Sequence, residues 1–202
     1  MTFDVLTDEG LKSCLDFIVK IDALKKVLRK TKVIKNERFE NTAEHSWHLA
    51  LMAFVLQRYS KVPIQIDRVV KMLLLHDLGE IEVGDVFLYD AARGQEKDAE
   101  RDAIEKLFSS LPSDLRTVFL DLWTEFAEGT TAEAHFARAM DRFQPLLNNL
   151  CNDGGSWSSM GITREMALDK NKHIENASDV LWDAYQKLTA EAEEKGLFLS
   201  DK

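Results

Sequence analysis

Cysteine, proline and glycine are scarce in this sequence of 202 residues. Its two cysteines, Cys14 and Cys151, are too few for a disulfide framework and suit a reducing cytoplasm, so we expect a cytoplasmic protein. Only three prolines and nine glycines leave little material for a flexible linker. The apolar content of 45% is enough for one sizeable core. We therefore predict a single domain.

The sequence also lacks positive net charge and long apolar runs. Its formal charge is −9, with 26 lysines and arginines against 35 acidic residues. This balance argues against a nucleic-acid polymer or an anionic membrane as the main partner, although a local basic pocket is not excluded. No apolar run approaches the length that spans a bilayer. Residues 1–4 lack the basic and apolar regions of a signal peptide.

Periodic apolar residues predict helices along most of the chain. Steps of three and four residues, as from Leu11 to Leu15 and Ile18, mark amphipathic helices. No segment shows a convincing strand alternation, so we predict an all-α fold. Loops are expected over residues 35–42 and 89–95. Helices are expected over about residues 9–30, 43–59, 66–78, 112–129, 131–150 and 179–195, with one more ending near residue 108.

Two local signals bear on the boundaries of these helices. Asn41, three residues before Glu44, is the signature of a capped helix start. Pro145 lies inside the segment 131–150 and lacks the N–H that would bond to the carbonyl of Asp141. Either the helix kinks there or a new helix starts at Pro145, and both alternatives stand.

The apolar run over residues 71–75 ends at an adjacent histidine and aspartate, His76 and Asp77. Burying a carboxylate is costly unless a positive group meets it, and imidazole and carboxylate are good partners for first-row divalent metals. Two interpretations follow: a metal site, or an ordinary helix end with Asp77 in solvent. Glu80 stands one turn further if the helix continues. The glycine before Asp85 permits a bend toward the same place.

Two histidines on the helix expected over residues 43–59 are further nitrogen donors. His45 and His48 lie three residues apart, on one helix face. The segment is not the metalloprotease motif, because no glutamate stands between the histidines. A lone helical histidine is more often structural than a ligand, and that alternative stays open.

A basic cluster ends the first expected helix, which is unusual in an acidic protein. One interpretation is that these cations stabilise a helix C-terminus. The other is an anion-binding surface in which Arg29 binds phosphate with two hydrogen bonds. The cluster consists of Lys25, Lys26, Arg29, Lys30 and Lys32.

The order of His45, the His76-Asp77 pair and a distant Asp141 resembles the HD-domain superfamily of metal-dependent phosphohydrolases. The resemblance is closer to its small, all-helical branch, which is related to the 5′-deoxynucleotidases. It implies one HD domain over residues 1–202, with a metal-binding core at about 24–150 and C-terminal helices at 160–196. The matching segments are Leu24-Lys25-Lys26-Val27-Leu28-Arg29, Ala43-Glu44-His45, Leu75-His76-Asp77-Leu78-Gly79-Glu80, Val83-Gly84-Asp85, Leu122-Trp123-Thr124-Glu125-Phe126, Ala132-Glu133-Ala134-His135-Phe136 and Met140-Asp141-Arg142.

The resemblance implies one divalent metal ion, whether Co, Mn, Fe, Ni, Zn or Mg, held by His45, His76, Asp77 and Asp141. Spacing alone does not select Asp141 from the 35 acidic residues of the chain. Two imidazoles and two carboxylates leave coordination positions open on a five- or six-coordinate metal. Open positions are what hydrolysis requires, because both a water and the scissile phosphate must be held.

The same resemblance implies roles for five further residues. Glu80 and Asp85 are expected near the attacking water and the leaving oxygen, where general acid–base chemistry takes place. Arg29 is expected to bind the substrate phosphate, and Glu125 matches an active-site acid. The deoxynucleotidases have a tryptophan near the sugar, and Lys32 stands in its place here.

These features predict a phosphomonoesterase that acts on nucleoside or deoxynucleoside 5′-monophosphates or a similar small phosphate, and the resemblance implies a homodimer. The alternative is an HD-fold protein that binds a metal and a nucleotide in a regulatory or assembly role, with little catalysis. Intact Glu80 and Asp85 count against that alternative. An HD-fold oxygenase with two irons needs additional histidines, and the chain has five in all.

Overall fold

The computed structural model describes Phe3, residues 5–90 and residues 97–199. Regular structure in these ranges is almost entirely helical, which confirms the all-α fold class. Two short strands, β1 (Leu28–Lys32) and β2 (Phe39–Asn41), pair antiparallel. Of the loop expected over residues 89–95, only residues 89 and 90 are among those described. The helices are α1 (Glu9–Ile21), α2 (Thr42–Leu56), α3 (Ile66–Leu75), α4 (Glu80–Val83), α5 (Lys97–Phe108), α6 (Ser113–Glu128), α7 (Ala132–Cys151), α8 (Gly155–Met160), α9 (Arg164–Asn171), α10 (Ile174–Ala177) and α11 (Asp179–Glu194).

The strand pair corrects two predictions. The helix expected over residues 9–30 ends with α1 and a 3₁₀ turn at Asp22–Lys26, and the loop expected over residues 35–42 contains β2. Val27 is extended, with φ −79° and ψ 116°, so the helical path is already broken before β1. A strand this short is stabilised by its partner and its packing rather than by its own propensity, which is why periodicity misses it.

Three residues of the basic cluster therefore lie on a strand. The register of β1 against β2 shifts between Leu28 and Lys32, so the contacts decide where the side chains point. Arg29 reaches Asp77 and Thr31 reaches Glu40, whereas Lys32 pairs with the exposed Glu37. Thr31 is buried and Lys30 is exposed. The interpretation of these three cations as helix-terminal charges is wrong.

The start of α2 is fixed by the capping box that the sequence predicts. The Asn41 side chain accepts a hydrogen bond from the Glu44 backbone N–H at 2.9 Å, and the Glu44 carboxylate accepts one from the Asn41 N–H at 3.2 Å. Reciprocal capping of this kind satisfies N–H groups that the first turn leaves without partners. It holds His45 in that first turn, completely buried.

The segment after α3 turns back on itself. α3 ends at Leu75, three residues earlier than expected, and His76 is its C-cap. Asp77 follows in a turn that leads into α4. Gly84 then has φ +80°, a conformation that a residue with a side chain rarely adopts, and this directs the chain so that Asp85 returns toward β1.

The long helix α7 organises the core. It is unbroken at Pro145, so the alternative of a new helix starting there is wrong, whereas the kink stays a prediction. Helices α2, α3, α6 and α10 pack against it. Its inward face carries the buried side chains of Phe136, Ala139, Met140 and Phe143, followed by the half-buried Leu147.

The C-terminal helices pack on α7 through aromatic side chains. The Tyr185 ring lies edge-on to the Phe143 ring at 6.2 Å, and Trp157 stacks on Phe198 at 4.2 Å. One cluster of buried apolar residues takes members from α1 through α11, which supports a single domain as our proposal. Among the described residues, no helix has the length and apolarity needed to cross a membrane.

Candidate metal centre

The structure brings the four predicted ligands together from α2, α7 and the end of α3. His45 Nε2 lies 3.1 Å from Asp141 Oδ1 and 3.9 Å from Asp77 Oδ2. His76 Nε2 lies 2.9 Å from Asp77 Oδ2 and 3.9 Å from Asp141 Oδ1. Ligand atoms of His45, His76 and Asp141 lie within 4.8 Å of one another, close enough to hold a metal ion, and Asp77 Oδ2 lies beside both histidine nitrogens. All four side chains are largely buried.

The His76 ring is oriented as a metal-binding imidazole requires. Its Nδ1 lies 2.9 Å from the carbonyl oxygen of Leu73, so Nδ1–H donates to the backbone and Nε2 carries the lone pair. Nε2 is buried and faces the carboxylates of Asp77, at 2.9 Å, and Asp141, at 3.9 Å. Burial lowers the pKa of His76, but the charges of Asp77 and Asp141 outweigh it and raise the pKa to about 10. The carboxylates therefore stabilise a positive charge here, which a proton or a divalent cation supplies.

His45 is held in the same tautomer by a different partner. Its Nδ1 lies 3.2 Å from the side-chain oxygen of Gln144, so Nδ1–H donates and the Nε2 lone pair faces Asp141. Burial, followed by the charge of Arg29, lowers the pKa of His45 to about 4. The imidazole is therefore neutral near pH 7, and the neutral ring is the form that ligates metals.

The two carboxylates are ionised despite their burial. Burial raises the pKa of Asp77, but His76 and Arg29 outweigh it and lower the pKa to about 2. Burial also opposes ionisation of Asp141, and Arg142, His45 and His76 hold its pKa well below the usual range. With a divalent cation in place of the proton on His76, two imidazole nitrogens and two anionic oxygens form a donor set that suits a first-row metal, so the residues fit the group.

Arg29 and Asp85 flank the cluster. Arg29 Nη1 lies 3.1 Å from Asp77 Oδ2 and 3.5 Å from Asp85 Oδ1, and 12% of the arginine side chain is exposed. Burial alone would lower the pKa of Arg29, yet Asp77 and Asp85 raise it above its ordinary value. The guanidinium therefore stays charged beside the cluster, where a phosphate would need a cation.

Glu80 is a carboxyl group that carries a proton. Thr42 Oγ1 donates a hydrogen bond to Glu80 Oε2 at 2.8 Å. Burial, and then the charge of Asp77, raises the pKa of Glu80 to about 9. The environment thus moves the pKa values of Glu80 and Asp77 in opposite directions. This is the pattern by which acid and base roles are divided in active sites.

The structure does not bring Lys32 and Glu125 to the cluster. Lys32 Nζ pairs with the exposed Glu37 at 2.6 Å. Arg68 Nε donates to the Glu125 carboxylate at 2.6 Å, and the Thr131 hydroxyl donates to it at the same distance. Both side chains are engaged elsewhere in the fold.

A cavity of about 520 Å³ opens onto the cluster, with His76, Asp77 and Asp141 in its wall. Cavities of this size hold small-molecule ligands. The Phe126 ring packs 4.8 Å from the His76 ring, and Trp123 Nε1 donates to the His76 carbonyl at 3.1 Å. The remaining wall includes aromatic, cationic and acidic side chains, among them Trp123, Phe126, Arg138, Arg142 and Glu128.

Four buried polar residues behind His45 escape the sequence analysis. Gln144 and Asn148 stand three and seven residues after Asp141, on the same face of α7, and this spacing is the signal that could have found them. Thr31 and Glu40 lie on the facing strands β1 and β2, where the sequence gives no such signal. All four are nearly inaccessible to solvent.

A buried cluster of histidine and aspartate on packed helices defines a helical protein with a metal site. The chain belongs to the HD domain family, whose pattern its residues 21–182 match.

Named relatives agree with that family. The 5′-deoxynucleotidase HDDC2 of Homo sapiens is 34% identical over 142 residues, 68% of this chain and 67% of that protein. The 5′-deoxynucleotidase YfbR of Shigella flexneri is 31% identical over 111 residues, 50% of this chain and 56% of that protein. A crystal structure from Magnetospirillum magnetotacticum, described as a "Predicted metal-dependent phosphohydrolase", is 41% identical with a TM-score of 0.91 and covers 95% of this chain and 97% of its own.

Proposed function

We propose that this protein is a metal-dependent phosphomonoesterase that releases phosphate from nucleoside or deoxynucleoside 5′-monophosphates. The observation that carries the proposal is the convergence of His45, His76, Asp77 and Asp141, with all four nitrogen–oxygen distances at 3.9 Å or less. The names of the relatives, two 5′-deoxynucleotidases and a metal-dependent phosphohydrolase, support the reaction class and the nucleotide substrate.

In this proposal the four converging side chains hold one divalent cation. The chemistry that such a cation supplies is a lowered pKa of water and a polarised phosphoryl oxygen. Arg29, kept charged by Asp77 and Asp85, neutralises negative charge on the phosphate. Glu80, whose pKa is raised to about 9, gives its proton to the leaving oxygen, and Asp85 accepts the proton of the attacking water.

The cavity beside the cluster supports a small substrate rather than a polymer. Its volume of about 520 Å³ accommodates a nucleoside monophosphate, and its aromatic residues Trp123 and Phe126 offer apolar surface to the non-phosphate part. Arg29 and Asp85 line a second, smaller cavity, and Arg142 lines both. Lys32 pairs with the exposed Glu37, so the sugar is read by residues other than the lysine that replaces the family tryptophan.

The test is phosphate release by metal-stripped protein from ribo- and deoxyribonucleoside monophosphates, with cobalt, manganese, iron, nickel, magnesium and zinc supplied in turn. We expect at least one metal to restore release, and Asp77→Ala to lose both bound metal and turnover. Tight nucleotide binding without turnover, with the metal present, would show a binding protein instead. Full activity in Asp77→Ala would sink the site assignment.

We also propose that the enzyme is a homodimer, in keeping with the family resemblance. α2 exposes four apolar side chains along one stripe, Trp47, Leu51, Phe54 and Val55, of which Val55 is 71% exposed. A contiguous apolar patch on a protein surface marks a contact with another protein. The two free cysteines support a cytoplasmic location, which we likewise propose.

A further inference from the structure

Glu40 is a buried carboxylate directly behind a proposed metal ligand. The residue is 4% exposed on β2, and its Oε2 lies 3.7 Å from His45 Nδ1. It lies on the side of the ring opposite to the nitrogen that faces Asp141. Burying a carboxylate is costly, and an apolar residue of similar volume is often neutral or better for stability. A carboxylate at this place therefore calls for a role beyond packing.

Three hydrogen-bond donors from other segments converge on this carboxylate. Gln144 Nε2 donates to Glu40 Oε1 at 2.8 Å, and Asn148 Nδ2 donates to Oε2 at 3.4 Å. The Thr31 hydroxyl donates to Oε2 at 3.5 Å. All three donors are neutral and nearly inaccessible to solvent. Burial raises the pKa of Glu40 to about 7, while Arg29, Gln144 and Asn148 oppose that rise, and the ionised carboxylate accepts from all three donors.

The acceptor fixes the orientation of the Gln144 amide. An amide can flip by exchanging its oxygen and nitrogen, and its surroundings decide which way it points. Here the Nε2 group has two acceptors, Glu40 Oε1 at 2.8 Å and His48 Nδ1 at 3.4 Å. The amide oxygen is thereby turned toward His45 Nδ1, at 3.2 Å. A flipped amide would place its N–H₂ against the His45 N–H and its oxygen against the carboxylate.

We propose that Glu40 is a positioning residue of the metal centre, acting through Gln144 on His45. Glu40 orients the Gln144 amide, the amide oxygen accepts the proton on His45 Nδ1, and the lone pair of His45 Nε2 is presented to the metal. This inference rests on the proposed function, because it assigns Glu40 to the affinity of that same metal site.

The test is the affinity of metal-stripped protein for Mn²⁺ and Co²⁺ by calorimetry, with the melting temperature of the stripped protein measured in parallel. Glu40→Gln keeps the shape but offers a donor as well as an acceptor, so the amide orientation is no longer dictated. We expect metal affinity to fall roughly 10–100-fold, the usual effect of removing a partner that orients a ligand. Glu37→Gln, which changes an exposed glutamate paired with Lys32, is the matched control and should leave affinity unchanged.

A double variant provides a rescue that a purely structural role would not give. In Glu40→Gln/Gln144→Glu the carboxylate and the amide exchange places. The new carboxylate at position 144 accepts from His45 Nδ1–H, and the new amide at position 40 donates to that carboxylate. We expect the double variant to regain most of the metal affinity that Glu40→Gln loses. The effects of the two substitutions on the free energy of metal binding are then not additive.

The outcomes separate this inference from the proposed function. If the parent binds neither metal, the metal centre itself is wrong, and the role of Glu40 falls with it. If the parent binds metal and Glu40→Gln lowers only the melting temperature, the carboxylate is structural and the positioning role is overturned. If the losses of metal affinity in the two single variants simply add in the double variant, the positioning role is overturned as well.

Discussion

The hydroxyl of Thr42, at the start of α2, donates to the carboxyl group of Glu80, at the start of α4, over 2.8 Å. This hydrogen bond joins the helix that carries His45 to the turn that follows Asp77. Burial first, and then the charge of Asp77, raises the pKa of Glu80, whereas the hydrogen bond from Thr42 lowers it. The protonation state of one carboxyl group thus depends on the placement of the other.

We predict that Glu80 makes the stability of the metal-stripped protein depend on pH. Its pKa is raised from 4.5 to about 9, so the unfolded chain binds fewer protons than the native chain between these values. The contribution of Glu80 to stability is full below about pH 4.5 and is lost as the pH rises through about 9. Glu80→Gln removes this dependence. Melting temperatures across the pH range should show the variant gaining on the parent in mildly alkaline buffer, and parallel curves would contradict the prediction.

The same substitution should impair catalysis without emptying the metal site. An amide cannot donate the proton that the leaving oxygen requires, and loss of a general acid costs about 100-fold or more in kcat. Steady-state kinetics and metal content of Glu80→Gln, measured together, check this. Glu82→Gln, which changes an exposed glutamate on the same short helix, is the control. Equal losses in the two variants would argue against a proton-donor role for Glu80.

Arg29 should matter for stability as well as for phosphate binding. Arg29→Met leaves Asp77 and Asp85 without their cation, and removing one partner of a buried ion pair typically costs about 3–5 kcal/mol. Urea denaturation of the stripped protein measures the loss. Arg29→Lys keeps the charge but not the planar fork, so we expect a smaller loss of stability together with a raised KM. Wild-type stability in Arg29→Met would rule out the ion-pair role.

The capping box of α2 should influence the metal site through the position of His45. Asn41→Ala removes the acceptor for the Glu44 N–H, and we expect it to cost about 1 kcal/mol. Because His45 lies in the first turn, metal affinity should fall in the same variant. Asp8→Ala removes the equivalent cap of α1, remote in sequence from the ligands, and should reduce stability alone. Denaturation curves and calorimetry separate the two effects.

The apolar stripe on α2 should hold two copies together. Leu51→Glu/Val55→Glu places two charges on the stripe, and we expect the mass in light scattering to fall from twice 23.1 kDa to the single-chain value. Val19→Glu changes an equally exposed valine on α1 and is the control. A parent that is monomeric at every concentration would contradict the homodimer.

Sequence signals between neighbouring residues predicted the helices well. They did not predict the pairing between distant segments. The cap at Asn41 and the helix end at Gly129 depend on neighbouring residues, and both stand where expected. β1 and β2 depend on each other, so helical periodicity gave the wrong structure for residues 28–32.

Asp141 became predictable as a ligand only through resemblance, because nothing near it in the sequence indicates which histidines it meets. Glu40 was missed for the same physical reason, since it bonds to Gln144 across 104 positions of the chain. Matching by position also puts Lys32 and Glu125 at the site, and those roles stay predictions. In the structure their side chains pair with Glu37 and Arg68.

The two histidines differ in what orients them, and this difference bears on how the protein folds. His76 Nδ1 bonds to Leu73 three residues away, so α3 orients that ring as soon as it forms. His45 takes its orientation from Gln144, 99 positions away, and has no acceptor for its Nδ1–H until α7 has docked on α2. Asp141 and Gln144 both lie on α7, so tight metal binding requires that α7 has docked on α2, whereas the His76-Asp77 pair is local in the sequence.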